Sequence, residues 1–379
     1  MPRIHFIVPH RPDRSPSQRY RLEQFIAHFE ANGHTVIYAN LLGQLGDRVL
    51  YSKGRLFLKL LLLVKAFLRR LRDVYRVGQE DIVVIHREAF LTRGTFFERA
   101  LRRRSRHLVF DFDDAIWHMD VSEANKRLSW LKDPSKTDRI IAMADLVIAG
   151  NDYLADHARA FNANVVVIPT VIDTTLYEPM QRPRPDGRVT IGWTGSLTSV
   201  AHLALAVPTL RNVQQRFGEK VVFRVISDRL FEAQGLQVEN VRWNSTSEVE
   251  DLAPIDIGIM PLPDNEWSRG KCGFKGLQYM GMGKAVVLAA VGVNKRIVRH
   301  GVNGLLASTP QELEAHLVHL VEDAELRARL GVEARRTVEE RYSVNAWKDV
   351  YLRLFRELTQ QTKTTEHVRP EEDRAHPRS

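Results

Sequence analysis

One short stretch combines residue types that bind anions. Residues 269–284 read RGKCGFKGLQYMGMGK and hold five Gly, four basic residues and the single Cys of the chain. Gly270 and Gly273 are spaced to shape a turn, and the residues after them predict a helix from Phe274. The free N–H groups at the start of a helix and its dipole attract negative charge. The pattern therefore predicts a phosphate-binding turn.

Two other interpretations of this stretch remain open. A solvated basic turn ahead of a core helix has the same composition. A cysteine nucleophile is the other, because the basic neighbours of Cys272 favour a low thiol pKa. No His pairs with Cys272 in the nearby sequence. Lys275 and Gln278 are three residues apart and share one helix face, so Lys275 is predicted to hold a phosphate and Gln278 a neighbouring hydroxyl.

Charged residues also follow two predicted strands. Asp113 and Asp114 come after the strand in FDFDDAIW, and His86, Arg87 and Glu88 end the strand in VIHREAF. If the strands are parallel, both groups lie at the same edge of the sheet. Adjacent carboxylates shift each other's pKa, and His is a common general acid or base. A helix cap for the two aspartates and a structural role for His86 remain open as alternatives.

The predicted strands and helices that position these residues indicate an α/β protein. Short apolar runs without alternation are typical of strands buried on both faces of a parallel sheet, and helical stretches lie between them. The predicted strands cover 3–8, 35–39, 81–86, 107–112, 144–150, 164–169, 189–195, 220–227, 255–261 and 284–290. One helix is predicted over 17–33, and another begins after Asn151 as an N-cap. Two doubly wound domains in tandem follow, with a cleft at the carboxyl ends of their strands.

The domain boundaries follow from composition. Residues 1–180 are predicted to form the first Rossmann-like domain, and the Pro-rich segment 181–188 a linker. Residues 189–345 form the second domain, and 346–360 a helix that packs back on the first. The tail 361–379 has almost no apolar residues and is predicted to be disordered.

Bulk composition narrows the function classes. A chain of 379 residues is too long for one core, and a single Cys excludes a disulfide framework and fits a reducing, cytosolic compartment. The start of the chain is predicted to be a strand, because its apolar run is too short for a signal peptide. Residues 1–110 carry 21 Lys and Arg against 9 Asp and Glu, so the net charge of +9 belongs to the first domain. The basic stretches lack interleaved aromatics and nucleic-acid motifs, which argues against nucleic acid as a partner.

One segment differs from the rest of the chain because it combines a long apolar run with many basic residues. It covers residues 55–76 and reads RLFLKLLLLVKAFLRRLRDVYR. Lys59 and Lys65 interrupt the apolar run, which is too short to span a bilayer cleanly. Six basic residues lie between Lys59 and Arg76. Two interpretations remain open: a helix lying on an anionic membrane surface, and a buried helix of the first domain with a solvated basic end.

Several motifs together identify a family resemblance. The stretch 256–307 contains the turn described above and a Gly-Val-Asn-Gly loop at 301–304. Further motifs are RSPSQRYRLEQF, FDFDDAIW, ADLVIAGNDYL, VIPTVIDTTLYEP and IGWTGSLTS. Over about residues 1–355 the chain resembles family-4 retaining glycosyltransferases (glycosyltransferase group 1), which have the GT-B fold of two Rossmann-like domains facing a cleft.

The resemblance implies transfer of a sugar from a nucleotide-sugar donor with retention at the anomeric carbon. It implies no metal and no cofactor other than the nucleotide sugar, which is a co-substrate. The acceptor would be a glycan or a lipid-linked molecule in surface polysaccharide or glycolipid synthesis. The expected location is the cytoplasm, peripheral at the inner face of the plasma membrane.

The resemblance also implies site residues. The donor-binding residues on the second domain would be Gly195, Ser196, Asp228, Arg229, Arg269, Lys271, Gly273, Phe274, Lys275 and Gln278. The catalytic residues would be Asp113, Asp114 and His86, with Asp113 at the family's His position. The acceptor would contact Arg11, Arg14, Arg19, Arg87 and Glu88. For the three arginines after the first strand, a solvated loop remains the alternative.

The sequence departs from the family pattern at three positions. The two motif glutamates of the family fall on Gly270 and Gln278, and the Arg that often follows the Thr-Gly loop is Ser196. Diphosphate binding would then depend mainly on Lys275, with Arg269 or Lys271. These departures leave two other functions open: a nucleotide- or glycan-binding adaptor without catalysis, and a nucleotide-sugar epimerase of the same fold.

Overall fold

The computed structural model describes residues 1–50, 56–118, 133–180, 186–196 and 199–367. Its strands are β1 (Ile4–Val8), β2 (Val36–Asn40), β3 (Ile82–His86), β4 (His107–Phe112), β5 (Leu146–Ala149), β6 (Val165–Val167), β7 (Val189–Gly195), β8 (Val221–Ser227), β9 (Val238–Arg242), β10 (Ile257–Met260), β11 (Ala285–Ala289) and β12 (Leu305–Ala307).

Its helices are α1 (Pro16–Arg21), α2 (Ile26–Ala31), α3 (Gln44–Leu50), α4 (Leu56–Arg76), α5 (Phe96–Arg104), α6 (Ser135–Met143), α7 (Asp152–Arg159), α8 (Val200–Phe217), α9 (Glu248–Leu252), α10 (Glu266–Arg269), α11 (Phe274–Gly281), α12 (Asn294–Ile297), α13 (Pro310–Glu322), α14 (Ala324–Arg341) and α15 (Val344–His367).

The described strands form two parallel six-stranded sheets. The strand order is β2-β1-β3-β4-β5-β6 in the first and β12-β11-β10-β7-β8-β9 in the second. The central strands β1, β3, β4 and β5 are fully buried, as their unbroken apolar sequences predict. The predicted α/β architecture is confirmed.

Two strands and one helix differ from the sequence prediction. The strands β9 and β12 were not predicted, and they are the two edges of the second sheet. β9 reads VENVR and is only half-buried, so it lacks the apolar run of a central strand. The prediction of a single helix over 17–33 is wrong, because α1 ends before Leu22, which has φ −128°, and a 3-10 turn separates α1 from α2. Asn151 is the N-cap of α7, as predicted, and its side chain accepts a hydrogen bond from the Leu154 N–H.

The helix α15 returns to the first sheet. Tyr351 packs on Phe25 with ring centroids 4.6 Å apart, and Phe355 stacks on Phe29 at 5.5 Å. α15 continues to His367, into the segment predicted to be disordered. Residues 368–379 of that segment, and 181–185 of the predicted linker, lie outside the described residues.

Within the ranges that the structure describes, no helix is long and apolar enough to cross a bilayer.

Candidate active site

Asp113 lies just beyond the carboxyl end of β4, inside a dense set of hydrogen bonds. The Ser17 hydroxyl donates to its Oδ1 at 2.6 Å, and Arg87 donates to the same oxygen from Nε at 2.9 Å and Nη2 at 2.7 Å. Burial alone would raise the pKa of Asp113, but the positive charge of Arg87 and the Ser17 hydrogen bond lower that pKa well below its usual range. Asp113 is therefore a carboxylate that accepts hydrogen bonds rather than a proton donor.

His86 ends β3 and connects to Asp113 through Ser17. Its Nδ1 lies 2.8 Å from Asp111 Oδ1, and its Nε2 lies 2.7 Å from Ser17 Oγ. Asp111 is fully buried against Arg21 with a contact of 2.5 Å, and this guanidinium lowers the pKa of Asp111 despite the burial. An ionised Asp111 can only accept, so His86 donates from Nδ1 and turns Nε2 to Ser17. His86 is 1% exposed and meets the site through the Ser17 hydroxyl.

Arg87 has a backbone conformation that non-glycine residues rarely adopt. Its φ is +63°, and its N–H donates to the Asp111 carbonyl at 2.9 Å. The guanidinium of Arg87 also donates to Asp114 at 2.8 Å, so it joins both aspartates of the loop. Glu88 turns away and forms an ion pair with Lys136 at 3.2 Å. The side chain of Arg87 therefore contacts Asp113 and Asp114, whereas that of Glu88 pairs with Lys136.

The turn predicted to bind phosphate lies on the second domain and contacts this acidic loop. Gly273 has φ +69°, in the left-handed region, and α11 begins directly after it. Lys271 donates to Asp114 at 2.9 Å, and its ammonium lies 4.5 Å from the centre of the Trp267 ring. Asp114 thus connects Arg87 of the first domain to Lys271 of the second.

Cys272 packs at the contact between the domains and is not a nucleophile. Its thiol donates to the Asp113 carbonyl at 3.2 Å, and burial together with the charge of Asp113 raises the pKa of this thiol to about 12. The Asn151 amide donates to the carbonyls of Gly270 and Lys271, both at 3.1 Å. The cysteine-nucleophile interpretation is therefore wrong, because a buried neutral thiol is a poor nucleophile.

Lys275 points into a basic region at the starts of α8 and α11. Its ammonium lies 5.2 Å from the centre of the Trp193 ring, and within the described part of the chain no ion pair or hydrogen bond engages it. Burial, followed by repulsion from Lys271, lowers the pKa of Lys275 to about 8. The pKa of His202, in the first turn of α8, is lowered by burial and by the same two lysines. Lys275, Lys271 and His202 are close enough to affect one another's pKa, and such a basic region suits a diphosphate.

Gln278 lies in a buried network that the sequence did not reveal. Its amide donates to Glu248 Oε1 at 3.1 Å and to the Tyr177 hydroxyl at 3.0 Å. Glu248 also accepts from the Arg19 guanidinium at 3.0 Å and from the Tyr20 hydroxyl at 3.1 Å. Gln278 is 1% exposed, so the hydroxyl that it was predicted to reach is, in this structure, that of a tyrosine.

The other predicted residues are less closely assembled. Arg11 and Arg14 approach Asp47 at 3.5 and 3.9 Å, and Arg269 forms an exposed ion pair with Asp264 at 2.8 Å. Two pairs of predicted residues lie where neighbouring strands end, at β7 and β8: Gly195 with Ser196, and the exposed Asp228 with Arg229.

A surface cavity of about 410 Å³ opens at the same edge of the second sheet, beyond β9. Its lining includes Trp243, Asn244 and Ser247. Trp243 also donates from its indole to Glu248 at 3.1 Å, which joins the cavity wall to the network around Gln278. Neither His202 nor the cavity was predicted. His202 could have been found from its position in the first helical turn after the Thr-Gly loop.

The described residues contain no group of three or more His, Cys, Asp or Glu side chains that could hold a metal ion.

Comparison with known proteins identifies a matching family model and similar folds. The family model "Glycosyl transferases group 1" matches residues 188–323, so the predicted resemblance is confirmed for the second domain. No curated protein matches the chain in sequence.

Solved structures match the whole chain in fold. Sucrose-phosphate synthase from Thermosynechococcus elongatus is 14% identical with a TM-score of 0.70, covering 95% of this chain and 100% of that one. A glycosyltransferase from Rickettsia africae is 13% identical with a TM-score of 0.64 (94% and 98% covered). HepE from Anabaena, in complex with UDP-glucose, is 15% identical with a TM-score of 0.60 (96% and 99% covered). The predicted GT-B fold is confirmed.

Proposed function

We propose that this chain is a retaining, metal-independent glycosyltransferase that moves a sugar from a nucleotide-sugar donor to a glycan or lipid-linked acceptor. The observation that carries the proposal is Lys275. It is a half-buried ammonium without an ion-pair partner in the described part of the chain, at two helix starts of the domain that matches the glycosyltransferase model. A buried cation so placed is suited to an anionic ligand, and the diphosphate of a nucleotide sugar fits it.

The donor would extend along the carboxyl edge of the second sheet. Its diphosphate would lie between Lys275, His202 and Lys271, and its base would enter the cavity beside Trp243. The neighbour HepE was solved with UDP-glucose, which supports a nucleoside diphosphate sugar as the donor class. Asp228 and Arg229 follow the end of β8 and would border the donor between these two regions.

The chemistry would follow from charge. As the bond from the anomeric carbon to the diphosphate breaks, the acceptor oxygen would bond to that carbon and its proton would pass to the departing diphosphate. Lys275 and Lys271 would stabilise the negative charge that develops on this leaving group. Asp113 is held ionised by Arg87 and Ser17, so it would accept a hydrogen bond from a sugar or acceptor hydroxyl and orient it. Arg11, Arg14 and Arg19 would contact the acceptor, although Arg19 is paired with Glu248 in this structure.

The proposed setting is the cytoplasm, at the inner face of a membrane, with the product entering a surface polysaccharide or a glycolipid. A second candidate is a nucleotide- or glycan-binding adaptor without catalysis. The Gly270–Ala115 contact favours it, because no side chain fits where the family has its first glutamate. Both candidates use the same donor site and differ in turnover.

A panel of UDP-, GDP-, ADP- and dTDP-sugars incubated with the protein, with nucleoside diphosphate release as the readout, tests the proposal. The enzyme releases diphosphate from one donor, and Lys275→Ala abolishes the release while the exposed control Lys220→Ala retains it. Binding of a donor without release, with and without glycan acceptors, would favour the adaptor. Release that survives in Lys275→Ala would overturn the assignment of the site.

A further inference from the structure

The helix α4 buries several charged residues and exposes most of its apolar ones, unlike a helix on the surface of an ordinary soluble domain. Its buried positions include Lys59, Arg70 and Asp73, which are 4%, 0% and 6% exposed. A surface helix normally turns its apolar side inward and its charges to water. In α4, Lys59, Arg70 and Asp73 face the protein beside Ala66, which is also buried.

Arg70 explains why this orientation is stable. Its guanidinium donates to the carbonyls of Val8 at 3.1 Å, Ala39 at 2.9 Å and Ala89 at 2.8 Å, and to Asp73 at 3.2 Å. These carbonyls lie at the carboxyl ends of β1 and β2 and in the loop after β3. Buried charge is tolerated when its hydrogen bonds are satisfied in this way.

Most of the exposed residues of α4 are apolar. We call this exposed side of the helix the α4 face; its exposed apolar members are Phe57, Leu58, Leu60, Leu61, Val64, Phe67, Leu68, Leu71 and Tyr75. The neighbouring helix α5 extends it, since Phe96 is 59% exposed and stacks on Phe67 with ring centroids 6.2 Å apart. An exposed apolar patch of this extent indicates a binding surface.

The charges on the α4 face select the partner. Its exposed charged residues are Lys65, Arg72 and Arg76, and no acidic residue of α4 is exposed. The exposed Arg99 and Arg103 of α5 add to the positive charge. Two copies packed through this face would bring like charges together, whereas anionic lipid headgroups would complement them.

We propose that the α4 face, with Phe96, docks onto an anionic lipid bilayer. The apolar side chains enter the boundary between headgroups and acyl chains, and Lys65, Arg72 and Arg76 contact phosphate groups. Arg70 anchors α4 at the ends of β1 and β2, the edge of the first sheet that also carries the candidate active site. Docking would hold the acceptor side of that site near the membrane, and it does not depend on which sugar is transferred.

Flotation of the full chain with vesicles tests this. Vesicles of phosphatidylcholine containing phosphatidylglycerol are expected to carry the protein upward, and vesicles of phosphatidylcholine alone much less. Replacing Lys65, Arg72 and Arg76 by Glu is expected to weaken partitioning on the order of 100-fold or more, since each basic residue contributes about fivefold. The control replaces Lys220, Arg329 and Arg353, which are exposed elsewhere, and retains binding.

The apolar contribution has its own pair of variants. Leu61→Ser with Leu68→Ser is expected to reduce flotation, whereas Leu205→Ser with Val332→Ser, at exposed positions of the second domain, does not. Equal flotation of all variants, or none by the parent protein, overturns the proposal. So does a dimer in sedimentation that the Leu61 and Leu68 changes dissociate without any effect of lipid. Flotation by a Lys275→Ala protein that lacks turnover would show the docking independently of the proposed enzymatic function.

Discussion

Gln278 donates its side-chain amide to Glu248 at 3.1 Å, inside a contact that joins both domains. The family that the chain resembles has a glutamate at position 278. Here a second carboxylate would meet Glu248 within hydrogen-bond distance of its oxygen, and like charges so close repel strongly in a buried site. The amide therefore satisfies Glu248 and Tyr177 together, and the residue change is explained by its buried partner.

Restoring the family residue should destabilise this chain. Gln278→Glu is expected to lower the free energy of unfolding by about 2 kcal/mol at pH 7, because a donor is replaced by a second charge. The repulsion raises the folded-state pKa of the new carboxyl, so the loss is small near pH 4 and grows as the pH rises. Denaturant unfolding at several pH values measures it.

The exchange variant is the matched control. Gln278→Glu combined with Glu248→Gln keeps one acid and one amide in contact, and should recover part of the lost stability, because Arg19 then faces an amide instead of a carboxylate. Equal stability of the parent and of Gln278→Glu at pH 7 would show that the network does not dictate the residue at 278.

Donor binding should depend on the protonation of Lys275. Burial and Lys271 lower its pKa to about 8, and only the protonated ammonium attracts a diphosphate. Affinity for the nucleoside diphosphate selected by the donor panel is therefore expected to fall as the pH rises above 8, up to about tenfold per pH unit. Calorimetric titration between pH 7.5 and 9.5 measures this.

Lys275→Arg separates this charge from other titrations, because a guanidinium stays protonated throughout that range. The Arg variant should bind with little change between pH 7.5 and 9.5. A parallel decline in both proteins would assign the pH dependence to another group.

Gly270 should not accept a side chain. A Cβ placed there would lie 2.7 Å from the Ala115 Cβ and 3.1 Å from its backbone nitrogen. Gly270→Ala is expected to cost about 1–3 kcal/mol of stability through overpacking. Ala115→Gly in the same chain should restore part of it, while Gly94→Ala, where a Cβ meets nothing within 4 Å, should cost far less. Thermal unfolding of the four proteins decides, and an unchanged Gly270→Ala protein would exclude this close contact in solution.

Local signals in the sequence predicted the sheets and the basic turn. Lys275 could be assigned because Gly, Lys and a helix start are adjacent in the chain, and His86 because it ends an apolar strand. Glu248 could not be linked to Gln278, since the contact depends on how β9 and α9 lie against α11. The two missed strands are sheet edges, where half-burial removes the apolar run that marks a central strand.

Which face of α4 turns inward could not be predicted from local sequence signals either. Its sequence predicts an amphipathic helix with many basic residues, yet periodicity does not say which face turns inward. In the sequence, Lys59 and Arg70 cannot be told apart from Lys65 and Arg72. In the structure, Lys59 and Arg70 are buried, whereas Lys65 and Arg72 are exposed. The difference comes from the strand-end carbonyls of Val8 and Ala39 that bind Arg70, and these are distant in sequence.

The buried ion pair between Asp111 and Arg21 should dominate acid stability in the first domain. Both side chains are fully buried and 2.5 Å apart. Asp111→Asn leaves the Arg21 charge unpaired, and is expected to cost about 3–5 kcal/mol at pH 7. Because the folded-state pKa of Asp111 is lowered, its stabilisation is present above about pH 4 and is lost as the pH falls through the folded value. The variant should therefore lose less stability than the parent on acidification from pH 5.

Urea unfolding of both proteins at pH 3, 4, 5 and 7 gives the comparison, and the exposed pair Arg159–Asp156 provides the control. Asp156→Asn should leave both the stability and its pH dependence unchanged, since a solvated ion pair contributes little. His86 adds a second readout, because Asp111 accepts from its Nδ1. If the Asp111 carboxylate fixes the imidazole, the nitrogen chemical shifts of His86 should change in Asp111→Asn, because Nδ1 loses its ionised acceptor. Unchanged shifts together with parent-like stability would mean that the carboxylate neither orients His86 nor holds the Arg21 charge.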